Sequence, residues 1–580
     1  MKKYKIKNIL VALLILGINV SCEDDFLDRP VEDRYTIDSF YQNDEQLFQA
    51  VNPIYNSPWF DFHRGFMKIG DALAGNIVFN RIDGYTNFVL TNSDPDIANA
   101  SASLWSVNGY CNSVMRNIDA KSGSAVTQQA KNTVKGEAMV WKAMTYFYLV
   151  RIFGAIPIIH DNARILANNS AATQKRIKVE DVYKYITLIL KDAVELLPEE
   201  NAMGRIDKYS AYGLLSKVYL TKSGYGMSGS RNKEDLADAA KYAKIVIDQS
   251  GRVLQPEYGD LFQLKGNFDR ENLISWRWTV GAQWTSANAL QANLAMNGFS
   301  DADPSWATWV YPTIDLQSDF DESADMLSRN NRDTRRKATM MMFGDNYDHW
   351  WTEIGGFIYN WDNTKEGRYN GKITFGSGTG SNVAKHIVGN IADAQAQGYS
   401  ALGAQSSPLA THLLRLADVY LIYAEAVLGN NSSTSDASAL QAFNNVRARA
   451  IKSNSDDKDI LTFEDIYKER RLELALEGDR WYDIVRLHYY KPAEAKAIIS
   501  AQERGQWQGL ENLYTNNDPS GLGIISLKVT GLTDENFTLP FPEVDLSLNP
   551  GLMDAPVDLS LIHISEPTRL VHSSRMPSSA

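Results

Sequence analysis

Residues 136–157 read GEAMVWKAMTYFYLVRIFGAIP. From Val134 to Phe153, the residues Ala138, Trp141, Thr145, Tyr148 and Ile152 recur at alternating steps of three and four, which puts them on one face of a helix. Gly154 and Pro157 follow where such a helix must stop. The same period continues downstream. From Val179 to Leu197 it runs through Val182, Ile186, Ile189, Ala193 and Leu196, with Pro198 as the breaker. Tyr209 to Lys222 carries it through Ala211, Leu215, Val218 and Tyr219, and Leu236 to Ile247 through Leu236, Ala240, Ala243 and Ile247. A late pair is expected from about Leu409 to Leu428 and from Ala437 to Ile451, the first closed by Gly429. A single helix pair cannot bury its apolar face, so these pairs must stack on one another.

Between about 251 and 408 the texture changes. Gly, Asn, Asp, Ser and Thr become frequent and helical runs shorten. Gly371 to Ser381 carries neither the Lys-Ser/Thr nor the strand–helix context of a phosphate loop, and reads as a flexible surface loop. Eight of the thirteen tryptophans fall in the 86 residues from Trp276 to Trp361, where an even spread would put about two. Loops lie mostly on the surface, and an indole face beside Asn, Asp and Gln suits a pyranose ring, which has apolar C–H faces and outward hydroxyls. Trp276 and Trp278 lie on one side of an extended segment and are expected to be structural. Trp284, Trp306 and Trp309 sit among Gly, Asp, Pro, Ser and Thr and are the candidates for exposure, with Trp350, Trp351 and Trp361 in reserve. Trp105 opens a helix-like segment and is expected in the core.

The chain has 580 residues, 44% hydrophobic and 22% charged, a globular composition. Its net charge is −12, with no basic stripe, which argues against nucleic acid as a partner. The eight histidines stand alone and no Cys-x-x-Cys exists, so no zinc site, other metal or cofactor is expected. Asp94-Pro95-Asp96 is a fragment that calcium could use, far weaker than a full loop pattern. In Glu469–Arg486 the acidic and basic residues alternate at helical spacing, which reads as an ion-pair lattice on a helix rather than a catalytic pair. No catalytic residue is assigned: a surface glycoside hydrolase needs two carboxylates across a cleft, and no pair escapes a structural reading.

The two ends stand apart from the fold. Lys2, Lys3, Lys5 and Lys7 precede an apolar stretch from Ile9 to Val20, too short to span a bilayer, so residues 1–21 read as an export signal. It ends at Asn19-Val20-Ser21-Cys22, which resembles a bacterial lipobox with Asn19 where Leu is usual. Cys22 would then carry acyl chains and anchor the protein in a membrane. The acidic Glu23-Asp24-Asp25 resembles a surface-export signal of Bacteroidetes lipoproteins. Residues 559–569, LSLIHISEPTR, resemble the translation of a sequencing adapter, so 558–580 is set aside as a non-native tail.

Several segments in order resemble the SusD/RagB family of Bacteroidetes outer-membrane lipoproteins. They are the helix and Phe-Gly-x-x-Pro turn at 136–157, RLADVYLIYAEA at 415–426, NNVRARA at 444–450, ERRLELALEGDRWYDIVR at 469–486 and LPFPEVDLSLNP at 539–550, the last with one extra residue before its Asn. The resemblance implies a mainly α, tetratricopeptide-like scaffold of helix hairpins with a loop-rich, irregular ligand-binding portion, although no strict repeat is legible. It divides the chain into an N-terminal portion, 22–250, and a C-terminal portion, 251–557. It implies a non-enzymatic surface lipoprotein that captures an oligosaccharide or polysaccharide and delivers it to a SusC-like TonB-dependent transporter. By region, the glycan site would combine a loop near Gly70-Asp71 and Arg81 to Phe88, with Tyr85 and Asn87 as candidates, and Trp284, Trp306 and Trp309 across from it. A relative that captures peptides is the nearest alternative.

Overall fold

The computed structural model describes residues 40–79, 83–281, 283–300, 310–323, 329–360, 377–399, 402 and 406–559. Eleven of its helices carry the argument: α1 (Asp44–Val51), α2 (Pro95–Lys121), α3 (Gln128–Phe153), α4 (Val179–Leu196), α5 (Lys208–Lys222), α6 (Lys233–Gln249), α7 (Leu416–Leu428), α8 (Ala437–Ile451), α9 (Phe463–Glu473), α10 (Arg480–His488) and α11 (Pro492–Ala501). Each of α2 to α8 packs on the next in chain order, so the stacked hairpins expected from the period are present. The 3.6-residue pattern marks α4 to α6 and α8 to within three residues, while α3 starts at Gln128, six residues before the expected Val134. Capping explains most starts: Asp94, Thr127, Asp207, Asn232 and Asp436 each accept backbone N–H bonds at the helix that follows. Helix α3 is buried on every side from Val134 onward apart from the half-buried Lys135, as a helix at the centre of such a stack must be.

One expected start fails. Helix α7 does not begin at Leu409: Thr411–Arg415 is a strand, paired antiparallel with Asn272–Trp276. Helix α6 nonetheless packs directly on α7. The intervening 250–415 is therefore an excursion from the helical array, and this strand pair ties its two ends together. The excursion holds further short antiparallel pairs, Met340–Met342 with Ser381–Val383 and Asn346–Tyr347 with Phe357–Ile358, while Val310–Pro312 reaches back to Ile77–Phe79.

The charged run 469–486 is structural, but not as one helix. Leu476 and Gly478 have φ of 61° and 69°, which breaks it between α9 and α10. Some of its ion pairs stay within the run, Arg470 with Asp479 and Asp483 and Arg486 with Asp483, and others reach distant elements. Glu473, fully buried, faces Arg335, Arg415 and Arg449, and Glu469 faces Arg335 and Arg447. Burial raises the Glu473 carboxyl, but the arginines outweigh it and leave it below the usual range.

Other expectations need correction. Trp105 lies within α2 and is only half-buried. From Ser377 to Ser381 the expected surface loop is buried, with Thr379 Oγ1 donating to Pro312 O at 2.6 Å, while 371–376 lies outside the described residues. Asp558, set aside with the tail, pairs with Lys178, and Leu559 is buried with its N–H on Asp181, so these two residues dock on α4. Residues 560–580 and 1–39, Cys22 among them, lie outside the described residues. Among the described residues no helix is long and apolar enough to cross a membrane.

Candidate functional site

Asn56 starts a 3-10 helix, Ser57–Phe62, with its Nδ2 donating to Arg277 O at 2.9 Å. The side chains then divide. Trp59 turns inward, where its indole donates to Ile54 O at 2.7 Å and packs on Trp141 and Trp276. Phe60 stays half-buried, and its ring meets that of Trp284 at 6.0 Å and 62°. Trp284 opens a second short 3-10 turn, Trp284–Ser286. Ser286 Oγ donates to Thr279 O and Gln283 O, Thr279 N donates to Ser286 O, and Thr285 Oγ1 bonds Ser57 Oγ at 2.6 Å. A single turn cannot be rigid alone, but these bonds fix it to the helix beneath. The Trp284 side chain is left 51% exposed.

Below the ledge, His63 Nδ1 bonds Phe60 O and Nε2 faces Asn293 Nδ2 at 3.2 Å. This pattern needs one ring nitrogen as donor and one as acceptor. Burial lowers its pKa to about 4, so the imidazole is neutral at pH 7. Exposed Asp61, Arg64 and Gln283 adjoin the ledge in sequence and supply polar groups. A half-exposed aromatic face with donors and acceptors beside it can stack on a flat neutral ring and bond its edge.

The other candidates divide three ways. Trp276, Trp278, Trp350 and Trp351 are buried, so much of the tryptophan excess serves the core of the excursion. Trp306, Trp309 and Trp361 lie outside the described residues, as does Arg81. Tyr85 was expected to face the ligand and does not. It is fully buried, its hydroxyl donates to Asp94 Oδ1 at 2.8 Å, and burial followed by that carboxylate pushes its phenol far up. A ring with no exposed face cannot stack on a sugar. Asn87 is half-buried, with Nδ2 on Asp83 O at 3.3 Å. Gly70 and Asp71 are core: Asp71 accepts from Asn76, Leu476 N and Gly478 N. The calcium fragment is otherwise engaged, since Asp94 caps α2 and Asp96 pairs with Arg64 and Lys68. Phe60 went unread, although the alternation Trp59-Phe60-Asp61-Phe62 is compatible with one ring turned outward.

A cavity of about 340 Å³ lies between α8 and α9. Its lining groups pair with one another, Arg332–Asp456, Arg447–Glu469 and Lys458–Asp465.

Residues 262–557 match the family model described as the SusD family, and residues 84–220 match one described as starch-binding associating with outer membrane. A SusD-like protein of Bacteroides ovatus is 33% identical over 576 residues, which cover 95% of this chain and 98% of that protein. The chain belongs to the SusD family. Among solved structures, one with xylogluco-oligosaccharide is 30% identical, with a TM-score of 0.75 over 89% of this chain and 99% of that one. A laminarin-binding SusD-like protein is 20% identical, with a TM-score of 0.62 over 88% and 98%, and shares the fold. The mainly helical scaffold with an irregular excursion is thus the SusD architecture.

Proposed function

We propose that the chain captures neutral oligosaccharides at the cell surface, without cleaving them, and passes them to a SusC-like TonB-dependent transporter. The observation that carries this reading is Trp284, half-exposed on a hydrogen-bonded turn and backed by Phe60. The relative with xylogluco-oligosaccharide supports the ligand class. In this reading Trp306 and Trp309 also contact the glycan, and the Asn87 amide serves as a hydrogen-bonding partner. Acyl chains on Cys22 hold the protein in the outer membrane, supported by the lipobox-like Asn19–Cys22 and by the family description that names that membrane.

Calorimetry with xylogluco-oligosaccharide tests the site. Stacking is worth about 1–3 kcal/mol per ring by analogy with bases, so Trp284→Ala should weaken binding about tenfold or more. Circular dichroism should stay unchanged, and added salt should matter little for a neutral ligand. Wild-type affinity in a folded Trp284→Ala protein would remove the ledge from consideration. For the anchor, Cys22→Ala should move the protein from the membrane to the soluble fraction.

A further inference from the structure

A second cavity, of about 260 Å³, lies between the 3-10 helix Tyr258–Phe262, the helix Thr334–Thr339 and the hairpin 346–358. Its floor is rigid. Tyr347 and Trp350 stack at 4.5 Å, and Tyr347 Oη donates to Lys337 O at 3.0 Å. Just beyond, Trp351 has φ of 52°, a strained backbone for a bulky residue. Asp393 holds it there by accepting the N–H groups of Trp351 at 2.8 Å and Thr352 at 3.0 Å. These bonds fix the turn that follows the cavity's Trp350.

The rim differs from that of the ion-paired cavity. The side chains of Gln263, Asn346, Asp348 and His349 and the Lys337 ammonium line it, and none forms a hydrogen bond or ion pair within the described residues. Trp350, 2% exposed, also lines the cavity, and its buried Nε1 has no acceptor among the described residues. Burial lowers the His349 pKa to about 4, so at pH 7 its ring offers one donor and one acceptor. One ammonium and one carboxylate cancel in charge, and one cation does not make a phosphate site. Among the described residues no group could hold a metal ion. What is left is a mixed, net-neutral set of donors and acceptors above buried aromatic rings, so the contacts it offers a ligand are hydrogen bonds. The volume falls below the usual ~300–1,000 Å³ of drug-sized sites, which suits a single ring.

We propose that this cavity is a second carbohydrate subsite, which takes one sugar residue of a neutral glycan independently of the Trp284 ledge. It borrows its ligand class from the glycan reading above, but its residues are separate.

Saturation-transfer NMR titrations of the full chain with xylogluco-oligosaccharide, and with a laminarin oligosaccharide as second probe, test it. Trp284→Ala should leave a weak residual affinity. Adding Gln263→Ala and Asn346→Ala, which break no internal bond, should lower that residue about tenfold, the loss expected for two neutral hydrogen bonds. His349→Ala should act in the same direction, with circular dichroism confirming the fold in each case. Equal binding with and without Gln263→Ala and Asn346→Ala, or no binding at all to Trp284→Ala, overturns the subsite and leaves the ledge intact. If Trp284→Ala binds like wild type while the Gln263 and Asn346 substitutions weaken binding, the ledge fails and the subsite stands. Binding of neither probe to any protein overturns both. Glycylglycine binding that depends on Gln263 and Asn346, with sugar binding unaffected, would reassign the cavity to peptides and overturn the proposal.

Discussion

Glu473 shows what the charged motif does at the level of one side chain. Its carboxylate accepts from Arg335 Nη1 and Arg415 Nη1, each at 3.0 Å, and from Arg449 Nη2, with no solvent contact. The three arginines come from a helix, a strand and α8, so one residue ties three elements to α9. No substrate can reach it, which separates it from a general acid or base. Replacing one member of such a set leaves the others charged and uncompensated, at a cost of about 3–5 kcal/mol. Glu473→Gln, which keeps the shape and drops the charge, should therefore lower the denaturant midpoint sharply while leaving oligosaccharide binding per folded molecule unchanged. A midpoint near wild type would mean that the arginines find other partners. The sequence disclosed that these residues were structural, because acidic and basic side chains alternate. It could not disclose the distant partners, such as Arg335 and Arg415 for Glu473, which have no spacing to reveal them.

Among the elements, helices were readable and irregular segments were not. A helix writes its own period, so α3 to α6 and α8 emerged from single windows. The strand Thr411–Arg415 has no such signature: its five residues, Thr-His-Leu-Leu-Arg, feed straight into α7, and only its pairing with Asn272–Trp276 distinguishes it from helix. The tryptophan excess misled for a similar reason. Composition marks the excursion as unusual but cannot say which indoles close its core and which, like Trp284, face out. One close approach between helices can be tested directly. At Gly136 on α3, an added Cβ would lie 2.6 Å from Leu197 Cγ at the end of α4, and Leu197 is 3% exposed. Ala gains about 1 kcal/mol of helix propensity over Gly, while overpacking costs about 1–3 kcal/mol. Gly136→Ala should thus be net destabilising in thermal melts. An unchanged or raised melting temperature would mean that α4 yields at its end.

For the whole molecule, the N-terminal and C-terminal portions are bonded together rather than merely adjacent. Asp71 accepts from Leu476 N and Gly478 N, and Arg471 donates to Asn76 and Gly75 O. His386 Nε2 bonds Leu476 O at 2.6 Å on the same seam, with Lys385 and Glu477 nearby. These groups make stability depend on pH. His63 and His386 both have pKa lowered to about 4 by burial. As pH falls from 6.5 to 4, the unfolded chain takes up these protons and the folded chain does not, so stability present above pH 6.5 is progressively lost. At pH 5 each histidine accounts for about 2 kcal/mol of that loss. Asp71 opposes it: burial raises its pKa to about 6, so the folded state protonates first and gains about 1.5 kcal/mol by pH 5. Carboxylates held low by arginines, such as Glu477 and Asp483, act only below the ordinary carboxylate range near pH 4 and leave this window alone. Glu137, Glu322, Asp393 and Asp545, whose carboxyls burial also raises, oppose the loss as well, while His412 and His349, both lowered to about 4 by burial, add to it. Urea unfolding at pH 5 should therefore give at least about 2 kcal/mol less stability than at pH 7. His386→Gln should flatten that difference, and equal stability at the two pH values would mean that these histidines are solvated or charged in the native state.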